Sequence, residues 1–532
     1  MNILSRFSRR ATPQTSPADA RQVVNAAGGY VFEITPQARV RRFLTLGTES
    51  GTYYVSAAAL TADNAEFIAE YAAEHTAELV REIVEISTAG RAPRPNPALF
   101  ALAAAAALGD VDGRRAALAA LPLVARTGTH LFLFAGYAEQ FRGWGRGLSR
   151  AVANWYLDKP VGDLAYQVVK YRQRDGWSHR DLLRLSHPAA TEDERRRLFD
   201  WICGRTPDLD GLALVDGFER ARSAPVEQVP ELVREYRLSW EMLPDAALNT
   251  PEVWEALLDN GIPQTALLRQ LPRLTRLGLL DPLGPRTAAI CARLGDPERL
   301  RTARVHPVSV LIALRTYASG TSARGDGTWT PSAPVVDALD AAFYAAFETV
   351  RPTGLRHLLA LDVSASMTSP IAGLPLSARE ASAALALVTA RTEERHQIVG
   401  FTASGTRWQG ARDLSPLAIS PRQRLDDAVR AVSGLPFGGT DCSLPILHAL
   451  DQGIEVDVFS VYTDNETWAG SVHPHQALAR YRREVNPRAK LVVVGMTATK
   501  FSIADPDDAG MLDVAGFDAA VPSLLADFAT AA

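Results

Sequence analysis

The chain has 532 residues, 47% of them apolar and 22% charged, and carries a formal net charge of −4. That length exceeds what one hydrophobic core serves and predicts two or three domains, and the composition excludes a disordered or fibrous chain. Three widely spaced cysteines (Cys203, Cys291, Cys442) give neither a disulfide framework nor a zinc-ligand spacing, which fits a reducing cytosol and predicts a cytoplasmic protein.

Residues 1–20 are expected to form a flexible N-terminal arm. Met1–Ser16 carries Arg6, Arg9 and Arg10 but lacks the apolar stretch of a signal peptide. No apolar run approaches the roughly 20 residues of a membrane helix, so no membrane partner is expected. Gly28–Phe32 and Arg42–Thr48 read as short extended or turn segments. From about Asp63 the apolar spacing becomes helical: Phe67, Ile68 and Tyr71, then Leu79, Ile83 and Ile86, recur at three- and four-residue intervals. Pro93, Pro95 and Pro97 separate these from helices over Ala98–Leu108 and Arg114–Ala125. Ser178 with Asp181, and Thr191 with Glu194, have the spacing of helix N-caps backed by an acid three residues on. Ile262–Leu280 reads as an amphipathic pair broken at Pro272. Helix–turn–helix alternation continues to Val350, interrupted only by the Gly/Ser/Thr/Pro-rich loop Ser319–Ala333, and predicts an all-α helical-repeat domain of the HEAT kind over 21–354.

After Arg351–Gly354 the period changes to alternating strand and helix. Strands are expected at Leu355–Leu361, Gln397–Phe401, Val456–Val461 and Leu491–Val494. Helices are expected from Ser377 and at Arg422–Val432, Pro474–Arg483 and Val521–Phe528. This predicts a doubly wound α/β domain over 355–532, with ligands outside the carboxyl ends of its strands. There the chain places Asp362, Ser364 and Ser366, then Thr440 in a glycine turn, then Asp464. Carboxylates and hydroxyls gathered at strand ends suit a hard cation such as Mg2+, which takes about six oxygens. The order D-x-S-x-S, Thr, Asp resembles the metal-ion-dependent adhesion site of von Willebrand factor A domains. His473 and His475, without a matching Cys or His, read as a solvated loop.

The net charge hides an asymmetry. Between Arg126 and His187 stand ten Lys/Arg against five acids, a net of +5, whereas 355–532 has a net of −5. A polyanion is drawn to the first region and repelled by the second. Taken on composition alone, Lys170, Arg172 and Arg174 equally suit a solvated helix end.

Several blocks lift that ambiguity: Gly47-Thr48 with Gly51–Tyr54, Arg126–Phe132, Gly145–Leu148 running into Trp155-Tyr156, Lys170–His187, and Thr463–Trp468. Together they resemble the Ro ribonucleoprotein autoantigen family, whose helical region is the TROVE module, over roughly residues 25 to 530. The resemblance implies a ring of helical repeats closed by a von Willebrand A domain. It also implies binding of small noncoding RNAs and of single-stranded 3′ ends of misfolded RNAs, with a 3′-exoribonuclease tethered through RNA in bacterial relatives. Lys170, Arg174 and His187 match RNA-contacting positions of the family block, with Arg172, Arg126, Arg142, Arg146 and Arg150 as further candidates. A second reading is a scaffold without RNA, its metal site holding a partner's carboxylate. A nuclease is not expected: no nucleophile elbow, H-E-x-x-H helix or P-loop is present, and a single hydroxyl-rich cation site is poorly equipped for two-metal phosphodiester cleavage.

Overall fold

The structure is a computed structural model that describes residues 11–47, 57–174, 176–205, 208–322, 326–347, 351–371, 375–403, 414–434 and 438–531, with 57–61 as backbone alone. Met1–Arg10, Thr48–Tyr54, Asp175 and Val350 lie outside the described residues.

Two short strands come first, β1 (Gln22–Val24) and β2 (Tyr30–Glu33). Eighteen α-helices follow between Pro36 and Ala345 among the described residues, interspersed with the two-residue strands β3 (Gln173–Arg174) and β4 (Trp177–Ser178) and three short 3-10 helices (Val226–Gln228, Trp240–Met242 and Ala247–Asn249). The C-terminal part holds β5 (His357–Asp362), β6 (His396–Phe401), β7 (Leu414–Pro416), β8 (Val458–Thr463), β9 (Lys490–Gly495), β10 (Phe501–Ser502) and β11 (Met511–Ala515). Six of these form one sheet in the order β11-β9-β8-β5-β6-β7, parallel except for the antiparallel edge strand β7. Strands β5 and β8 are buried along their full length, as expected of apolar runs covered by helices on both faces.

The helical series packs each helix against its next neighbours. Asn96–Leu108 lies against both Val111–Val124 and Gly128–Phe141, and Val111–Val124 lies against Arg146–Leu157. The first of these helices is alanine-rich, and Ala101, Ala103, Ala104 and Ala105 are all buried, small side chains that permit close packing. The series then returns to its start. His306 Nε2 donates to the Arg91 carbonyl at 2.9 Å across 215 residues, and the Arg91 guanidinium reaches the Asp518 carboxylate at 2.6 and 2.8 Å. On the same side Arg42, itself buried, donates to the carbonyls of Thr499 and Phe501 at 3.0 Å and pairs with Asp513. Later in the helical series Arg315 pairs with Glu380 at 2.5 Å, and Asp340 accepts the Leu425 N–H at 2.8 Å. The linker between the two parts is held as well: the Thr353 and Gly354 N–H groups donate to the buried Glu393 carboxylate at 2.9 and 3.2 Å.

Five expectations are corrected. Residues 11–20 are not a free arm: Gln14 is fully buried against the C-terminal part, and β2 pairs with β10. The solvated-loop reading of His473 and His475 fails for the same reason, since His473 contacts the Ser16 carbonyl at 2.8 Å and the Gln22 amide at 3.2 Å. Arg42 to Leu46 belong to the helix Pro36–Leu46, because the side chains of Val40, Phe43, Leu44 and Leu46 share one buried face. Pro272 lies inside a single helix, Gln264–Arg276, whose stripe Leu267, Leu268, Leu271 and Leu274 stays buried across it and outweighs the lost hydrogen bond. The Ser178/Asp181 capping box forms, whereas the second helix starts at Asp193 behind Glu192, so Thr191 caps nothing.

Candidate functional site

Asp362, at the end of β5, accepts the Ser364 N–H at 2.9 Å and the Thr463 hydroxyl at 2.7 Å. The Ser364 and Ser366 hydroxyl oxygens stand 2.9 Å apart. Ligands about 2.1 Å from a Mg2+ ion and 90° apart have that separation. Ser366 also hydrogen-bonds the Asp464 carboxyl, which lies just past β8. Thr440 is drawn in by its own carbonyl, which accepts the Trp468 and Ala469 N–H groups at 3.1 and 3.0 Å, and by the Ala365 N–H bonded to Gly438 at 3.3 Å. The structure therefore brings together the five residues named from sequence, all of them buried.

Their polar atoms are not all satisfied. The Thr440 hydroxyl, Asp464 Oδ2 and Glu466 Oε1 are buried without a hydrogen-bond partner, a costly arrangement unless a cation meets them. Burial and the adjacent Asp362 carboxylate push Asp464 up to about 7, and burial with Asp464 nearby pushes Glu466 up to about 8. Asp362 is displaced upward by burial as well. Glu466 is a third carboxylate that sequence reasoning passed over, although it stands two residues beyond Asp464. Arg379 was also missed: from the helix Ala378–Thr392 its guanidinium donates to the Val363 and Ser364 carbonyls at 2.6 and 3.1 Å, fixing the turn that carries the two serines. Among the described residues no group of three or more His, Cys, Asp or Glu is arranged to hold a metal. A cation at this place would depend on the hydroxyls.

The N-terminal segment closes over the loop that follows. Gln14 donates to Asp441 at 2.8 Å and accepts the Thr467 hydroxyl at 2.6 Å; Asn25 donates to the Thr467 carbonyl at 2.9 Å; the Ala27 N–H donates to Glu466 at 3.0 Å. A Cβ on Gly29 would lie 1.8 Å from the Thr467 carbonyl oxygen, so only glycine lets the two backbones approach.

The basic block divides under the structure. Lys170 is enclosed: its ammonium pairs with Glu241 at 3.3 Å and bonds the Tyr166 hydroxyl at 3.0 Å, leaving the side chain 7% exposed. Arg126 is turned inward as well, donating to the Ser87 carbonyl at 2.8 Å. Arg172 is exposed and lies over the Phe218 ring, and Arg174 is exposed on the β3–β4 hairpin. His187 is exposed at the end of the helix His179–Ser186, in the left-handed region at φ 47°. Arg142, Arg146 and Arg150 are exposed, and none has a carboxylate partner among the described residues; with Arg114 they line one cleft of about 600 Å³. Sequence reasoning missed Arg114, whose helix, Val111–Val124, precedes the basic block.

Comparison with known proteins settles the lineage. The TROVE domain model matches residues 23–206 and 235–316, and the Ro60 vWA domain model matches 356–529. This chain belongs to the Ro60 family. It is 42% identical to the Deinococcus radiodurans RNA-binding protein RO60, with 99% of both chains covered. It is 35% identical to the Caenorhabditis elegans RNA-binding protein RO60, over 98% of this chain and 92% of that one. The crystal structure of the Deinococcus radiodurans RO (RSR) protein superposes with a TM-score of 0.70, covering 93% of this chain and 99% of that one. Among the described residues no helix is long and apolar enough to cross a membrane.

Proposed function

We propose that this Ro60-family protein is a cytoplasmic RNA-binding scaffold that takes small noncoding RNA and single-stranded ends of misfolded RNA, in RNA quality control or decay. The observation that carries this reading is the set of exposed cations that have no acidic partner among the described residues between Arg142 and His187 (Arg142, Arg146, Arg150, Arg180 and Arg184), in a chain whose net charge is negative. Uncompensated guanidinium groups repel one another, and phosphates relieve that repulsion while releasing counterions. His187 at the same end of the block is free to stack on an unpaired base or donate to a phosphate. Two relatives covering nearly the whole chain are named as RNA-binding proteins, which supports the same reading.

The metal site acts as a clasp in this scheme. Asp362, Ser364, Ser366, Thr440 and Asp464 would hold Mg2+, which supplies the positive charge that the two neighbouring carboxylates lack. The burial of all five ligands favours a cation that stabilises the domain over one that captures an acidic protein from solution. RNA cleavage is then left to a partner such as a 3′-exoribonuclease tethered through the RNA. The test is a binding titration with structured RNA bearing a single-stranded tail across a salt series. Affinity should fall steeply with salt; weak binding with a flat salt dependence overturns the reading.

A further inference from the structure

The cleft formed by the helices Asn96–Leu108, Val111–Val124, Gly128–Phe141 and Arg146–Leu157 is built unlike the rest of the basic surface. Its floor is apolar, made by Ala103, Ala106, Leu118 and Ala151. Its rim carries five arginines, and no Asp or Glu lines it. Arg115 is drawn off by Asp112 at 2.7 Å, but Arg114, Arg142, Arg146 and Arg150 have no acidic partner among the described residues.

The helix Arg146–Leu157 opens into this cleft from a Gly145 N-cap that supplies no side-chain bond, and its first turn holds no acid. An arginine at the positive end of a helix is the reverse of what the macrodipole favours. Both the repulsion among four guanidinium groups and this inverted helix start are relieved by the same thing, a compact anion with more than one charge. An internal phosphodiester carries a single charge, whereas a terminal phosphate group carries about two and a triphosphate more. About 600 Å³ falls within the size range of small-ligand pockets, and the alanine and leucine floor accepts the flat face of a base. The Asn154 side-chain amide, also in the lining, can read a base edge.

We propose that this cleft receives a nucleotide carrying clustered phosphates, the phosphorylated 5′ end of an RNA strand. The inference rests on the RNA-binding reading above and adds to it a polarity: one end of the strand is recognised here by its charge. Guanidinium forks from two helices and from Arg142, just past the end of a third, bond the phosphate oxygens in pairs, and the free N–H groups at the start of Arg146–Leu157 complete the cradle. A free nucleoside triphosphate offers the same chemistry, so the test includes both sources.

Binding of one RNA sequence prepared with a 5′ triphosphate, a 5′ monophosphate or a 5′ hydroxyl is measured on the full-length protein, with ATP as competitor. The triphosphate form should bind at least about tenfold tighter than the hydroxyl form, roughly the effect of one well-placed charged bond. Arg146→Ala with Arg150→Ala should bring the forms level, and so should Ala107→Phe, which fills the cleft and leaves every arginine in place. ATP that displaces the triphosphate RNA and fails to bind the double variant assigns the cleft to nucleotides from either source; ATP without effect assigns it to RNA ends. Equal binding of the three RNAs overturns the inference while leaving RNA binding intact, and so does a preference that survives the double variant. A preference that survives only Ala107→Phe overturns the base pocket. Failure of all three RNAs to bind overturns the RNA reading itself.

Discussion

The two parts of the molecule hold opposite charge imbalances. In the helical part, guanidinium groups face a cleft with no acid among them; in the C-terminal part, carboxyl and hydroxyl oxygens crowd a buried pocket with too few donors. A folded chain tolerates either only where something from outside completes it, and the sign of what is missing says what that is: an anion in the first case, a cation in the second. The two differ in burial too. The cationic side is open to solvent and so answers to salt, whereas the anionic side is sealed and answers to stability.

The largest test of that contrast is cation removal. Saturating Mg2+ should raise the unfolding free energy over that in chelator by about 3 kcal/mol at a hundredfold excess over its dissociation constant. Asp464→Ala should erase the dependence in thermal melts; equal melting with and without Mg2+ breaks the comparison on its anionic side. Next in size is acidification at the closure of the helical series. Burial depresses His306 to about 4 from an ordinary value of 6.5. Between those values the unfolded chain binds more protons, so stability falls as pH falls through that window, by at most about 3 kcal/mol for this one group. His306→Gln should flatten that part of a pH–Tm profile. On the cationic side, Arg180→Ala with Arg184→Ala should lower the slope of log affinity against log salt by about 2. The smallest expected change in binding is from Lys170→Met. It should leave RNA affinity and its salt slope unmoved, because that ammonium already has Glu241 as partner, while Tm drops by a few degrees.

The two parts were also unequally legible. In the C-terminal part, apolar runs located four of the six sheet strands to within a few residues, and the D-x-S-x-S spacing led straight to the oxygens that now face one another. Those features are local: a strand end presents its own next residues. The antiparallel edge β7 and the strand β11 have weaker apolar alternation and escaped. In the helical part, helices were legible from their spacing but the roles of the cations were not. Lys170 is enclosed by Glu241 and Arg126 by Ser87, partners 71 and 39 residues away in sequence, and nothing near either cation announces them. The arginine at 114 was missed for the converse reason: it joins Arg146 only when two helices pack side by side.

The docking of residues 11–34 onto the C-terminal part governs how the protein is made. Gln14 finds its partner Asp441 427 residues later, so this segment has no place to settle until more than four hundred further residues have been synthesised. Until then the short β1–β2 hairpin presents an unpaired edge and the loop beyond Asp464 lacks its cover. The pairing of β2 with β10 and the burial of Gln14 therefore come late in folding, after the strands of the C-terminal part exist.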